Sequence, residues 1–176
     1  AALKSSIDRD LDEMEGMIDA ALGFLKEGSD VEPVEPVDLS TILQTITDDA
    51  RDAGQSVTAS VPRTLVVKGR HLALKRALAN LIGNAVRHGG SAEVSAQAND
   101  TEITIEISDH GPGISPAELE AVFEPFRRLD DARSRDTGGY GLGLTVARSI
   151  ARNHGGDVVL ANRAHGGLRA TLRLPT

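Results

Sequence analysis

The sequence predicts an α+β fold, a two-layer sandwich in which helices cover one face of a mixed, mostly antiparallel sheet. Segments with helical periodicity interleave with short alternating apolar segments. The 176 residues are enough to bury one core, and the absence of cysteine excludes disulfides, thiol catalysis and cysteine zinc sites. A net charge of −7 with three Phe and one Tyr argues against nucleic-acid binding.

The first 30 residues predict an amphipathic helix over residues 3–25. Its apolar positions recur at spacings of three and four: Leu3, Ile7, Leu11, Met14, Ile18, Ala21 and Leu25. This helix either packs on the globular core or is one strand of a helical hairpin or coiled coil, and we favour the second interpretation. The two prolines of Val31–Pro36 stop the helix, so residues 28–37 predict a linker and residues 38–176 the main domain.

Nothing in the sequence resembles a signal peptide or an apolar run of about 18 residues that could span a membrane. We therefore expect the chain to be soluble. It opens with Ala-Ala in place of Met, and we expect it to be part of a longer protein.

Beyond the linker, helices and strands alternate. The predicted elements are, in order, a helix over 39–53, strands over 57–61 and 65–67, a helix over 70–88, a hairpin of strands 94–98 and 103–107, a short helix from the capping box at Ser115 to about Val122, a helix over 141–154, and strands over 158–160 and 168–174.

The helix over 70–88 carries a polar face beside its leucine stripe. Asn80, Asn84 and Arg87 fall within about 60° of one another, with His88 at their edge. Asparagine is a poor helix former, while its amide offers a neutral oxygen to Mg²⁺ and donors to phosphate oxygens. A pair of solvated surface amides explains this helix equally well when it is taken alone.

An aspartate follows the predicted strand over 103–107, in the segment Asp109-His110-Gly111-Pro112-Gly113-Ile114. A carboxylate placed there, above bare backbone, can accept a hydrogen bond from an exocyclic amine such as that of adenine. An ordinary Asp-Gly turn is the simpler explanation when the segment is taken alone.

A glycine-rich segment, residues 137–143, leads directly into the helix predicted over 141–154. Free N–H groups at a helix N-terminus suit phosphate. The segment does not follow a strand, so it matches neither a dinucleotide-binding fingerprint nor a Walker loop.

Between Phe123-Glu124-Pro125-Phe126 and this glycine segment lies a charged stretch with four arginines. It can bury little apolar surface, so we predict a mobile lid whose guanidinium groups meet phosphate oxygens. A solvated charged loop is the alternative. The lid candidates are Arg127, Arg128, Arg133 and Arg135.

Taken in order, these segments resemble the N, G1, F and G2 boxes of sensor histidine kinases. The chain over residues 38–175 resembles the catalytic and ATP-binding domain of that family, in the gyrase–chaperone–histidine kinase–MutL superfamily. The resemblance implies a Bergerat-type ATP-binding fold. It also implies that residues 1–27 are the second helix of the dimerisation and histidine-phosphotransfer hairpin.

The resemblance assigns the candidate site as follows. Asn84 would bind Mg²⁺ with support from Asn80, Arg87 and His88 would lie near the phosphates or ribose, and Asp109 would bind the adenine amino group. The other implied nucleotide-binding residues are Gly111, Gly113, Ile114, Gly139, Tyr140, Gly141, Leu142 and Gly143. His110 stands where the family usually has Asn, and Tyr140 where it often has a small residue.

The implied function is transfer of the γ-phosphoryl group of Mg-ATP to a histidine that this chain does not contain. None of the five histidines lies in a phosphoacceptor box: His71, His88, His110, His154 and His165. We therefore expect the chain to bind ATP without phosphorylating itself.

The implied partners are the protein's own phosphotransfer hairpin, the receiver domain of a response regulator, and a second copy joined through the N-terminal helix. The implied location is the cytoplasmic side of a bacterial inner-membrane protein. The alternatives are a slow ATP hydrolase of the same superfamily and a nucleotide-gated interaction module. Hydrolytic relatives carry a Glu base at the position of Asn80, and an amide cannot accept a proton from water.

Overall fold

A computed structural model describes residues 32–127 and 141–176. The helix predicted over 3–25, the predicted lid from Arg128 onward and the first residues of the glycine-rich segment, up to residue 140, lie outside the described residues. The described elements are β1 (Glu35–Asp38), α1 (Leu39–Asp52), β2 (Ser56–Ser60), β3 (Val66–Gly69), α2 (His71–Gly89), β4 (Ser91–Ala98), β5 (Glu102–Ser108), a 3₁₀ helix (Ala121–Phe123), α3 (Gly143–Asn153), β6 (Asp157–Asn162) and β7 (Leu168–Pro175).

The predicted mixed sheet under a helical layer is confirmed. Five strands run in the order β2-β4-β5-β7-β6, in which the β2–β4 pair is parallel and the other pairs are antiparallel. Alternate side chains of β5 (Ile103, Ile105 and Ile107) are buried and join the core formed with α1, α2 and α3. Within residues 32–127 and 141–176, no helix combines the length and apolar character needed to cross a bilayer.

A second, two-stranded sheet pairs β1 with β3 in antiparallel register. It begins inside the predicted linker over 28–37 and leads directly into α1. Asp38 caps α1 by accepting a hydrogen bond from the Ser40 N–H at 3.0 Å, and it also accepts one from the Leu65 N–H, just before β3, at 3.0 Å. The hydrogen bond from Leu65 is the main cause that lowers the pKa of Asp38; burial opposes it, and the hydrogen bond from Ser40 lowers the pKa further.

Glu32 and Arg70 fix the start of α2. The Glu32 carboxylate accepts hydrogen bonds from the N–H groups of Leu72 and Ala73 in the first helical turn, where orphan donors favour an anion. The Arg70 N–H donates to Nε2 of His154, which follows the last turn of α3, at 3.0 Å. This bond joins the start of α2 to the end of α3.

The short helix predicted from Ser115 is wrong. Residues 116–120 form turns, and helical structure is limited to the 3₁₀ helix Ala121–Phe123. The Glu118 N–H donates to the Ser115 carbonyl at 2.8 Å, an i to i+3 bond typical of turns and 3₁₀ structure. The tighter winding accompanies burial of the Phe123 side chain against α3.

Candidate nucleotide-binding site

Asp109 follows the last residue of β5 and is only 5% exposed. Its Oδ1 accepts hydrogen bonds from the N–H groups of Gly111 at 2.8 Å and Leu168 at 3.1 Å. The Asp109 N–H in turn donates to the Leu168 carbonyl at 2.9 Å. Within the described residues, Oδ2 forms no hydrogen bond. One carboxylate oxygen is therefore fixed by backbone, and the other is left to bind a donor.

Three glycines bring backbone against Asp109. A Cβ atom at Gly89, the last residue of α2, would lie 2.6 Å from Asp109 Cγ. A Cβ atom at Gly167, where φ is +94°, would lie 2.8 Å from the Asp109 carbonyl carbon. A Cβ atom at Gly111 would lie 2.8 Å from the carbonyl oxygen of His88. Asp109 is thus enclosed by the end of α2, its own loop and the turn before β7.

The loop after Asp109 is held by Asn162 at the end of β6. Asn162 Oδ1 accepts from the Ile114 N–H at 2.9 Å, and its Nδ2 donates to the Ile114 carbonyl at 2.6 Å. Gly113 has φ of +76°, and a Cβ atom there would lie 2.6 Å from Asn162 Oδ1. At both Gly111 and Gly113, protein atoms occupy the space that a side chain would need. These glycines therefore allow the loop to pack closely against its own domain.

The polar face predicted on α2 is present. Asn80 and Asn84 are half-buried, whereas Arg87 and His88 are exposed. A Cβ atom at Gly143, the first residue of α3, would lie 3.8 Å from Asn80 Cγ. The middle of α2 therefore faces the start of α3. The C-terminal end of α2, about 13 Å further along the helix axis, lies against Asp109.

The start of α3 has the features expected of an anion site. Its N-cap residue, Leu142, makes no side-chain capping bond, and the first turn holds no acid. By contrast, Asp38 caps α1 and the Glu32 carboxylate binds the first turn of α2. Uncapped N–H groups and the helix dipole favour a negatively charged ligand.

The segment that ends at residue 127 and the segment that begins at residue 141 lie side by side. The Phe126 N–H donates to the Gly141 carbonyl at 3.0 Å. Gly141 has φ of +67°, and a Cβ atom there would lie 2.6 Å from the carbonyl oxygen of Arg127. Arg127 is exposed and pairs with Glu124 at 3.0 Å. The other proposed lid and glycine-segment residues lie outside the described residues: Arg128, Arg133, Arg135, Gly139 and Tyr140.

A buried arginine on α3 anchors Phe123. The Arg148 guanidinium lies 4.2 Å from the centroid of the Phe123 ring, pairs with Asp157 at 2.8 Å, and also pairs with Glu120. Hydrogen bonds from Arg148 and then Arg152 hold the pKa of Asp157 well below its usual range, although burial opposes them. This cluster could not be predicted from the sequence, because arginine on an amphipathic helix usually faces solvent.

The donor set on α2 suits Mg²⁺ only together with a nucleotide. Among the described residues, no group of three or more His, Cys, Asp or Glu side chains gathers where it could hold a metal. Asn84 offers one neutral amide oxygen, and Mg²⁺ ordinarily combines one or two protein ligands with phosphate oxygens and waters.

The comparisons with known proteins agree with this geometry. Residues 69–176 match the family described as histidine kinase-, DNA gyrase B-, and HSP90-like ATPase. The chain is 40% identical over 173 residues to the sensor histidine kinase GtrS of Pseudomonas aeruginosa, covering 98% of this chain and 36% of GtrS. It is 36% identical over 189 residues to the sensor protein RstB of Escherichia coli, covering 99% of this chain and 42% of RstB.

A crystal structure of the ATP-binding domain of PrrB from Mycobacterium tuberculosis superimposes with a TM-score of 0.67 at 32% identity, covering 81% of this chain and 96% of that domain. This chain spans 36% of the length of GtrS and 42% of that of RstB. The chain belongs to the family of histidine kinase-, DNA gyrase B- and HSP90-like ATPases, and it contains the ATP-binding catalytic domain of a sensor histidine kinase.

Proposed function

We propose that Mg-ATP binds along α2, with adenine at Asp109 and the triphosphate between the asparagine face and the start of α3. The observation that carries this proposal is the carboxylate of Asp109. Its Oδ1 is held by two backbone N–H groups, and its Oδ2 has no partner within the described residues. A buried acceptor of this kind is matched by the exocyclic amino group of adenine.

The phosphate end of the proposed site lies where Asn80 faces Gly143. Uncapped N–H groups of α3 would donate to phosphate oxygens, and Asn84 would bind Mg²⁺ with support from Asn80. Arg87 and His88, exposed on the same helix, would reach the phosphates or ribose. Mg²⁺, when bound, neutralises charge on the transferring phosphoryl group.

Asn80 favours transfer to a presented imidazole over hydrolysis, because an amide cannot take a proton from water. We propose that the acceptor is a histidine of the phosphotransfer hairpin and that a response-regulator receiver domain then takes the phosphoryl group. GtrS, which is named a sensor histidine kinase, supports this assignment. We further propose that the full-length protein lies in a bacterial inner membrane, with this domain on the cytoplasmic side.

The proposal is tested by calorimetric titration with a non-hydrolysable ATP analogue, with and without Mg²⁺. Asp109→Asn keeps the shape but replaces one carboxylate oxygen with a donor. We expect the affinity to fall about 10- to 100-fold, the range for losing a charged hydrogen bond. Omitting Mg²⁺ should weaken binding to the wild-type chain as well.

Asp100→Asn is the matched control. Asp100 is exposed in the β4–β5 turn, at the opposite end of β5 from Asp109, and we expect the variant to bind as wild type. Unchanged affinity in Asp109→Asn, with normal folding, would overturn the adenine assignment.

A further inference from the structure

Arg163, in the turn between β6 and β7, holds the backbone of Asp109. Its Nη1 donates to the Asp109 carbonyl at 2.7 Å, and its Nη2 pairs with Glu93 of β4 at 3.2 Å. The Arg163 side chain is 23% exposed. The carbonyl that it binds lies against the backbone of Gly167, whose absent side chain makes this close approach possible.

The same Glu93 carboxylate also holds the residue that follows Asp109. Its Oε1 lies 3.4 Å from Nε2 of His110, and Nδ1 of His110 lies 3.2 Å from Oγ of Ser91. The peptide between Asp109 and His110 is therefore held on one side by Arg163 and on the other by the His110 ring. Both contacts lead back to β4.

The ion pairs of Glu93 are poorly suited to stabilising the fold. Glu93 is 49% exposed, and ion pairs as exposed as this are weakened by solvent screening. Their main effect is on geometry: Glu93 holds the Arg163 guanidinium, and the guanidinium fixes the orientation of the Asp109 carbonyl. Without it, that peptide could turn and displace the Gly111 N–H that holds Oδ1 at 2.8 Å, and the carboxylate would then lose its fixed orientation.

We infer that Arg163 is a positioning residue for recognition of the adenine amino group, acting through the backbone of Asp109. This inference rests on the proposed function. The proposed phosphate contacts, on Asn80, Asn84 and the start of α3, do not involve Arg163. Loss of the guanidinium should therefore weaken reading of the base and leave binding of the triphosphate unchanged.

The test compares two nucleotides that differ only in the group being recognised: ATP and purine riboside triphosphate, which lacks the exocyclic amino group. Calorimetric titration with Arg163→Met should show about a three- to tenfold weaker affinity for ATP and an unchanged affinity for the second nucleotide. Arg163→Lys, which keeps a single cationic donor, should recover part of the loss. Thermal unfolding confirms that each variant is folded.

Arg173→Met is the matched control, because Arg173 pairs with Glu102 at 4.0 Å at the far end of the sheet. We expect it to bind both nucleotides as wild type. If Arg163→Met fails to fold, Glu93→Gln loosens the guanidinium without removing its donors and should shift ATP affinity in the same direction, by less.

Equal loss of affinity for both nucleotides would assign Arg163 a general structural role and overturn the inference, as would no loss for either. Asp109→Asn, run in the same experiment, separates the two claims. If it lowers ATP affinity while Arg163→Met does not, the proposed function stands and only this inference fails. If Asp109→Asn also leaves ATP affinity unchanged, the proposed function itself fails.

Discussion

Gly89 lies where the backbone at the end of α2 meets the side chain of Asp109. A Cβ atom at this position would approach Asp109 Cγ to 2.6 Å and Oδ1 to 2.7 Å. Since the backbone angles of Gly89 are helical, alanine fits the conformation, and only the contact opposes it. We predict that Gly89→Ala displaces Asp109 and lowers ATP affinity at least about tenfold in calorimetric titration.

Gly83→Ala is the control for this prediction, because it lies in the same helix with nothing within 4 Å of the added methyl. It should bind ATP within about twofold of wild type and raise the free energy of unfolding by about 0.5–1 kcal/mol. Tight ATP binding by Gly89→Ala would mean that the close packing at Asp109 has no part in recognition.

The candidate site residues that lie within short sequence motifs could be predicted from the sequence. Asp109 with its glycines, and Asn80 with Asn84 on one helical face, are local patterns, and the structure places each on the expected element. Gly167 and Arg163 were not found, because their importance comes from contact with Asp109 across more than 50 positions of sequence. Spacing along a chain does not reveal such contacts.

Two arginines on α3 share one carboxylate, Asp157, and differ in burial. The side chain of Arg148 is 11% exposed and that of Arg152 is 57% exposed. Arg148 also stacks on Phe123 and pairs with Glu120, so it joins α3 to the segment before the predicted lid. The contribution of each arginine should follow its burial.

We predict that Arg148→Met lowers the free energy of unfolding by about 1–3 kcal/mol, because it removes a charged hydrogen bond to Asp157 and the contact with the Phe123 ring. Arg152→Met should cost less than about 1 kcal/mol, as expected for an exposed pair. Urea denaturation of both variants measures the difference. If both variants lost the same free energy of unfolding, the burial of Arg148 and its contact with Phe123 would contribute nothing to stability.

The order of strands is the feature of the whole molecule that the sequence predicted least. Alternation in β4 and β5 and the turn at Asn99 identify their hairpin, and Asn99 Oδ1 indeed accepts N–H bonds from Thr101 and Glu102, each at 2.9 Å. The parallel β2–β4 pair and the separate β1–β3 sheet join segments far apart in the chain. The need to bury the apolar face of a strand does not specify which strand pairs with it, because pairing with any strand that has an apolar face would bury it.

The stability of the whole domain should depend on pH through its bound carboxylates. Arg148 and Arg152 lower the pKa of Asp157, and backbone N–H groups lower that of Asp38. A carboxyl whose pKa is depressed by folding stabilises the native state above its unfolded pKa of about 3.9, and this stabilisation is lost as the pH falls toward the folded value. The domain should therefore unfold progressively more easily below about pH 4.

Asp157→Asn isolates one of these groups while keeping its shape. Above about pH 5 the variant should be less stable than wild type by about 1 kcal/mol, a modest figure because the Asp157 carboxylate is partly exposed and screened by solvent. Between about pH 4 and pH 3 the difference should shrink, since unfolded wild type binds a proton at Asp157 while the folded state does not, so acid destabilises wild type but has no such effect on the variant. Urea midpoints across this range measure it, with Asp100→Asn in the β4–β5 turn as control. A difference that stayed constant down to pH 3 would mean that the loss comes from altered hydrogen bonding and not from the charge of Asp157.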